Sequence, residues 1–192
     1  MFDPRQDPDG AIAIATAEPR NGAIGIRPFT RADSSPLCDA IQESLPQICA
    51  WMVWCRADYS RRDSDKFVAG AHAEWTSGVS YSFAIFDKAD GTILGSIGLS
   101  EIHSTHRFAR VGYWVRTRRT RHGVASAALK LAARFAFEEV GLHRLEIVAP
   151  LANQASRRAA EKAGAAFEGV LRARVILGGQ RHDAALYSLV SE

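Results

Sequence analysis

"RRTRHGVASAALKLAARFAF", Arg118–Phe137, decides how this chain folds. Its first part concentrates positive charge: Arg116, Arg118, Arg119, Arg121 and His122 lie within seven positions, directly after the strand-like "GYWV" of Gly112–Val115. At Gly123 the charge stops and small and apolar residues take over. From about Val124 the pattern is helical, because Ser126, Lys130, Arg134 and Glu138 recur every four residues as one narrow polar stripe. Leu129, Leu131, Ala132, Phe135 and Ala136 cover most of the remaining surface, so the helix is expected to be buried on nearly all sides.

Outward from that unit, the hydrophobic period changes several times. "AIGIRPFT" (Ala23–Thr30) reads as a first strand, and the alternating "GAIAIAT" (Gly10–Thr16) as an optional edge strand. Asp33 or Ser34 can cap a first helix with Pro36 in its first turn, and "PQICAWMVW" reads as a second, aromatic-rich helical piece. Helical character resumes through "SRRDSDKFVAGAHAEWTSG" and ends at Gly78. "YSFAIFD", the Asp90-Gly91 turn, "TILGSIGLSEIH" and "FARVGYWV" then predict three antiparallel strands. After the Val124 helix come a strand "HRLEIVAP", a helix "NQASRRAAEKAG" capped by Asn153 and stopped by Gly164, and a closing hairpin around "GG". The order predicts an α/β (mixed α+β) layer architecture around one sheet.

The totals set the class. A chain of 192 residues, 47% hydrophobic and 23% charged, fits one globular domain, here residues 23–192 after an N-terminal leader of 1–22. No apolar run is long enough to span a membrane, the N-terminus lacks a secretory pattern, and the expected address is the cytoplasm. The net charge of +3 is too small to imply nucleic acid by itself, and no aromatic side chains interleave with the basic ones between Arg116 and His122 for base stacking. Cys38, Cys49 and Cys55 form no C-x-x-C pair, so reduced thiols are expected and neither a zinc site nor a disulfide framework is.

A helix N-terminus leaves backbone N–H groups without partners and carries partial positive charge. Gly123, Ala125 and Ser126 let a ligand approach that backbone, and the arginines add contacts for phosphate oxygens. The loop is therefore either a pyrophosphate cradle or a solvated basic turn before a core helix. It is not a nucleotide-hydrolase loop, since no G-K-[ST] follows, and G-x-G-x-x-G is absent. Ser156, in the first turn of the Asn153-capped helix, either supports the cap or places a hydroxyl where it can protonate a departing anion.

Between Ile24 and Val190 these elements and motifs resemble the GNAT-superfamily N-acetyltransferases of the RimJ/RimL-like branch, which use acetyl-CoA to acetylate ribosomal-protein N-termini and other amines. The residues that carry the likeness are "WMVW", "GYWV", "HGVASAA", "NQASRRAAEKAG", "EGVLR" and "HDAALYSLV" in this order. The resemblance implies a twisted, mostly antiparallel sheet of about six to seven strands, splayed between the fourth and fifth and flanked by helices. It implies that Tyr113, Trp114 and Val115 border the thioester, and that Arg118, Arg121, His122, Gly123, Val124 and Ala125 hold the pyrophosphate. Asn153 and Ser156 would face the pantetheine arm, with Ser156 the acid toward the thiolate and Tyr113 beside the reacting carbonyl. Acetyl-CoA would be co-substrate, with no metal, a primary amine the acceptor, and a homodimer through the closing hairpin and first helices a family habit.

The sequence departs from that pattern. Thr120 and Arg121 replace the Gln/Arg and Gly common in the loop, while Arg110 and Val175 occupy positions where relatives carry proton-handling carboxylates. Glu101, with His103 or His106 nearby, is the candidate base, against the plainer reading of a solvated strand end. His182 and Asp183 read as hairpin structure, Tyr187 as structural, and Trp51, Trp54 and Trp75 as pocket lining or core. A CoA-binding sensor without efficient turnover is the alternative function.

Overall fold

A computed structural model describes residues 23–191 and the strand Ala15–Ala17, so nearly all of the expected leader lies outside the described residues. The described elements are β1 (Ala15–Ala17), β2 (Ile24–Pro28), α1 (Ser34–Cys49), α2 (Arg61–Ser77), β3 (Tyr81–Asp87), β4 (Ile93–His103) and β5 (Phe108–Val115). They continue with α3 (Val124–Glu138), β6 (Arg144–Pro150), α4 (Gln154–Ala163), β7 (Ala166–Leu177) and β8 (Gln180–Val190). One sheet runs in the order β1-β2-β3-β4-β5-β6-β8-β7, and β5 with β6 is its parallel pair. The sheet has eight strands, the six to seven expected plus β1, an edge strand antiparallel to β2 that overlaps the end of the optional edge strand read over Gly10–Thr16.

Alternation along the strands divides the core in two. Tyr81, Phe83, Ile85, Ile97, Leu99 and Val111 face α3 and pack with Leu129, Ala132, Phe135 and Ala136. That is the apolar coat expected of the Val124 helix. On the other face Ala84 and Ile93 meet Leu37, Cys38, Ile41 and Val68 of α1 and α2, with Trp114 at the margin. Trp75 of α2 belongs to the α3 core, its ring 5.0 Å from Tyr81, 5.0 Å from Phe83 and 5.6 Å from Phe135.

Three local readings need correction. α1 runs through Pro46 to Cys49, so "PQICAWMVW" is not a second helix; residues 51–58 are turns. A proline removes one helical N–H without forcing a break where packing holds the flanks, and Ala40, Ile41, Ser44 and Ile48 are all buried on this helix. Asp33 stands at the N-cap of α1, but its carboxylate serves Thr30 N–H at 2.7 Å and the Arg27 guanidinium at 2.6 Å. Finally, Cys49 and Cys55 form a disulfide with Cα atoms 4.8 Å apart, while Cys38 stays free and buried. The turns that replace the expected helix fold the chain back, Cys55 N–H bonding Met52 O at 3.0 Å, and so bring together two thiols whose spacing matches no pairing motif. Among the described residues no helix is long and apolar enough to cross a membrane.

Candidate active site

The site begins where two strands part. β5 pairs with β6 only over Phe108–Arg110 against Arg144–Glu146, after which β5 continues to Val115 on β4 alone. The edge facing β6 thereby gives up its ladder partners at Val111–Val115, and backbone groups in that position must find others. The splay falls between the β5 and β6 of this chain, which are the fourth and fifth strands of the expected count once β1 is set aside.

Across the opening a side-chain bridge replaces the ladder. The Tyr113 hydroxyl lies 2.9 Å from Ser156 O, to which it donates, and 3.0 Å from Ser156 Oγ. Ser156 N–H donates to Asn153 Oδ1 at 3.1 Å, the expected cap of α4. Burial pushes the Tyr113 phenol up to about 12, with the Ser156 bond opposing it. The pair thus holds two neutral hydroxyls at the positive end of a helix, suited to receiving negative charge. Tyr187, also expected to be structural, is fully buried, and its hydroxyl donates to Glu161 at 2.8 Å.

The basic loop divides its labour. Arg116 Nε donates to Glu43 at 2.7 Å, Arg118 joins the same carboxylate, and Arg119 reaches Asp87 at 3.2 Å. Thr117 N–H donates to Ser44 Oγ at 3.0 Å. Three of the arginines therefore brace the loop against α1 and β3, a role the clustering alone did not reveal. Arg118, expected at the pyrophosphate, is engaged in this way although largely exposed. The Arg118 guanidinium, with Arg116 behind it, holds Glu43 at about 2 against an ordinary 4.5. A carboxyl lowered on folding contributes stability that is complete above 4.5 and is lost as pH falls from there through about 2. The melting temperatures of wild type and Glu43→Gln should therefore differ most at neutral pH and converge as pH approaches 2. A constant difference down to pH 2 would remove this account.

Arg121 differs from its neighbours. It is exposed, sits at φ 66°, and makes no ion pair among the described residues. Left-handed backbone is where glycine is preferred, which explains why the family pattern favours glycine there. Gly123 follows at φ 84° as the N-cap of α3, and Val124, Ala125 and Ser126 form the first turn. His122 Nδ1 beside them is buried with no hydrogen-bond partner among the described residues. If this loop is the pyrophosphate cradle that the family resemblance implies, Arg121→Glu should weaken acetyl-CoA affinity roughly five- to tenfold by charge reversal, leaving the fold intact. Arg121→Gly should weaken it less and raise stability by up to about 1 kcal/mol through relief of the backbone. Unchanged affinity in both variants by calorimetric titration would take Arg121 out of the site.

Opposite the loop, α1, α2 and the following turns enclose a cavity of about 560 Å³ against β3, β4 and β5. Its floor is nearly free of side chains: Ser82, Gly98 and Gly112 stand side by side in register across the three strands. At Gly95, just beyond this floor, a Cβ would come within 2.2 Å of Trp114 O, so β5 can lie this close only over glycine. Trp114 and Tyr113 border one end of the cavity.

Glu101 is not among the residues that line it. At φ 52° on the exposed end of β4, it pairs with Arg110 of the neighbouring strand, the same arginine that replaces a family carboxylate. His103 stacks with His106 at 4.6 Å and Phe108 at 5.2 Å, and Asp183 accepts from Ala173 N–H at 2.8 Å within the closing hairpin. The carboxylates that do line the cavity, Asp63 and Glu74, were missed. A signal existed: Asp63, Phe67 and Glu74 fall on one face of α2 at helical spacing, and all three reach the cavity.

This geometry is that of a known family. Residues 23–166 match the family described as "Acetyltransferase (GNAT) domain", and the chain belongs to it. Among relatives, the "Putative ribosomal N-acetyltransferase YdaF" of Bacillus subtilis is 35% identical over 101 residues, 53% of this chain and 55% of that one. The "Uncharacterized N-acetyltransferase YoaA" of the same organism is 34% identical over 98 residues, 51% and 55% of the respective chains. The chain spans about half the length of the curated relatives it matches. Among solved structures, Mycobacterium smegmatis RimJ in complex with CoA-disulfide superposes with a TM-score of 0.87 at 25% identity, over 99% of this chain and 90% of that one.

Proposed function

We propose that the protein is an N-acetyltransferase that moves acetyl from acetyl-CoA to a primary amine by direct attack in a ternary complex. The observation that carries this reading is the opening between β5 and β6, with the Tyr113–Ser156 hydroxyl pair on its edge and the α3 N-terminus at its mouth. Kinship with YdaF and with a CoA-bound RimJ supports it.

The amides of the pantetheine arm take the main-chain partners that β5 lacks along Val111–Val115. Tyr113, Trp114 and Val115 border the thioester. Arg121, His122 and the first-turn amides of Gly123, Val124 and Ala125 receive the pyrophosphate, with Arg118 at the rim. The acceptor nitrogen attacks the thioester carbonyl, the C–N bond forms and the C–S bond breaks. Ser156 gives the sulfur its proton while Tyr113 supports the serine oxygen. Holding both substrates in register offers roughly 7–11 kcal/mol of the barrier reduction.

The unit that does this is residues 23–192, acting in the cytoplasm, where acetyl-CoA is available. A homodimer through the closing hairpin is consistent with the exposed Val170 and Ile176 of β7. The acceptor class we propose is a protein N-terminus, a reading that a relative named as a putative ribosomal N-acetyltransferase supports. The test is acetyl-CoA-dependent thiol release with peptides carrying a free N-terminus, with N-acetylated peptides as blanks. Saturable release confined to the free amines supports the reading. Binding of acetyl-CoA without release from any amine favours the sensor alternative.

A further inference from the structure

We infer that the Cys49–Cys55 bridge is a redox-modification site: a thiol reductant opens it, and the opening loosens the cavity wall against which the acceptor binds. This rests on the transferase reading above and deepens it. In that reading Tyr113 and Trp114 border the thioester, and both also line the cavity, so the cavity takes the acceptor.

The bridge holds the part of the wall that no helix or strand holds. Residues 50–58 are turns between α1 and α2, and Met52, Trp54 and Arg56 from this stretch line the cavity. The backbone bonds that shape the turns are short in range. Trp51 N–H and Met52 N–H donate to Ile48 O at 2.9 Å, Cys55 N–H to Met52 O at 3.0 Å and Tyr59 N–H to Arg56 O at 3.2 Å. Side-chain contacts are equally local: Arg56 reaches Asp58 and Asp63 at 3.0 Å, and the Trp54 ring lies 6.0 Å from that of Tyr59. Ile48 and Tyr59, both buried, anchor the two ends, and the disulfide is the covalent tie between them.

The setting of the bridge favours a switch over a permanent strut. Cys49 and Cys55 are both half-buried, so a small thiol can reach their sulfurs, whereas Cys38 is buried and stays out of the exchange. The sequence separation is six residues, and short loops gain the least global stability from a cross-link. In the reducing compartment proposed for this enzyme, disulfides are as a rule transient and redox-sensing. A reductant thiolate attacks one sulfur to give a mixed disulfide, and a second reductant thiol then displaces the cysteine. Two electrons and two protons pass to Cys49 and Cys55, and the reductant leaves as its own disulfide. A low-molecular-weight disulfide runs the exchange backwards.

With the bridge open, ordering Met52 and Trp54 around an acceptor costs conformational entropy that the bridged form has already lost. The acetyl-CoA seat is built from other elements, the β5–β6 opening and the α3 N-terminus, and keeps its affinity.

The test places the native protein in reduced and in oxidised glutathione. Alkylation with intact-mass measurement reports the bridge, amide hydrogen exchange over residues 50–58 reports the wall, and labelled-acetyl transfer to free-N-terminus peptides reports the acceptor KM. The bridge should open in reduced and close in oxidised glutathione. In the opened form, exchange over 50–58 and the acceptor KM should each rise about tenfold, with kcat nearly unchanged. The Cys49→Ser/Cys55→Ser variant should match opened wild type in either buffer. A bridge that survives reduced glutathione in the native protein would overturn the inference, as would thiols that stay free in oxidised glutathione. Exchange and KM that ignore the state of the bridge would overturn it too. Calorimetry with acetyl-CoA separates the two levels: equal affinity in both forms is expected, and no binding to bridged wild type would instead strike the transferase reading itself.

Discussion

Ser156→Ala should lower kcat by about 10²-fold while leaving acetyl-CoA affinity nearly unchanged. The serine hydroxyl is within 3.0 Å of the Tyr113 hydroxyl, and its N–H is tied to the Asn153 cap, so its position is fixed from both sides. In the proposed mechanism its work falls on the leaving sulfur, which bears negative charge only as the C–S bond breaks. An interaction made only at that stage appears in kcat rather than in binding. Tyr113→Phe removes the hydroxyl that supports the serine oxygen and should cost less, about tenfold, since Ser156 remains. Parallel loss of affinity and rate in Ser156→Ala would reassign the residue to binding, and an unchanged rate would place the acid elsewhere.

Trp75→Ala should be the most damaging single core change, about 3–5 kcal/mol. The indole is 3% exposed and packs edge-on against Tyr81 and Phe83 and at a tilt to Phe135, joining α2 to α3 around the lower end of β3. Those rings cannot close the gap without leaving one another, because Tyr81 and Phe83 also pack on Phe135 at 5.3 and 5.0 Å. The loss corresponds to a fall in melting temperature of roughly 10 °C for a chain of this size. A drop of only a degree or two would mean that the site collapses and that the aromatic cluster is looser than it stands. Glu74 lies next to Trp75 on α2, so this core also fixes one wall of the cavity.

Most of the fold was legible in periodicity. The Val124 helix, the three middle strands and the Asn153–Gly164 helix begin and end close to where their patterns place them, because burial on defined faces dictated both pattern and fold. Pro46 misled because proline was read as a boundary, whereas packing of Ala40, Ser44 and Ile48 carries α1 past it. The disulfide escaped for another reason: an odd count and no C-x-x-C spacing pointed to reduced thiols, and only the turns after α1 bring Cys49 to Cys55. At the site, the hydroxyl pair and the α3 N-terminus stood in motifs that sequence can show. The strut role of Arg116, Arg118 and Arg119 did not, because their partners Glu43 and Asp87 are distant in the chain. Glu74 was missed for a different reason: its partner Ser80 is only six positions on, but that α2 turns it toward the cavity is a property of the fold.

The opening between β5 and β6, with the α3 N-terminus at its mouth, is proposed as the seat of acetyl-CoA. Calorimetric titration of the purified protein with acetyl-CoA, run beside dephospho-CoA and beside the Arg121→Glu variant, tests it most directly. Saturable one-to-one binding that the charge reversal weakens is the expected result. Absence of binding at low salt would contradict it, and would leave a GNAT fold whose strands part for some other purpose.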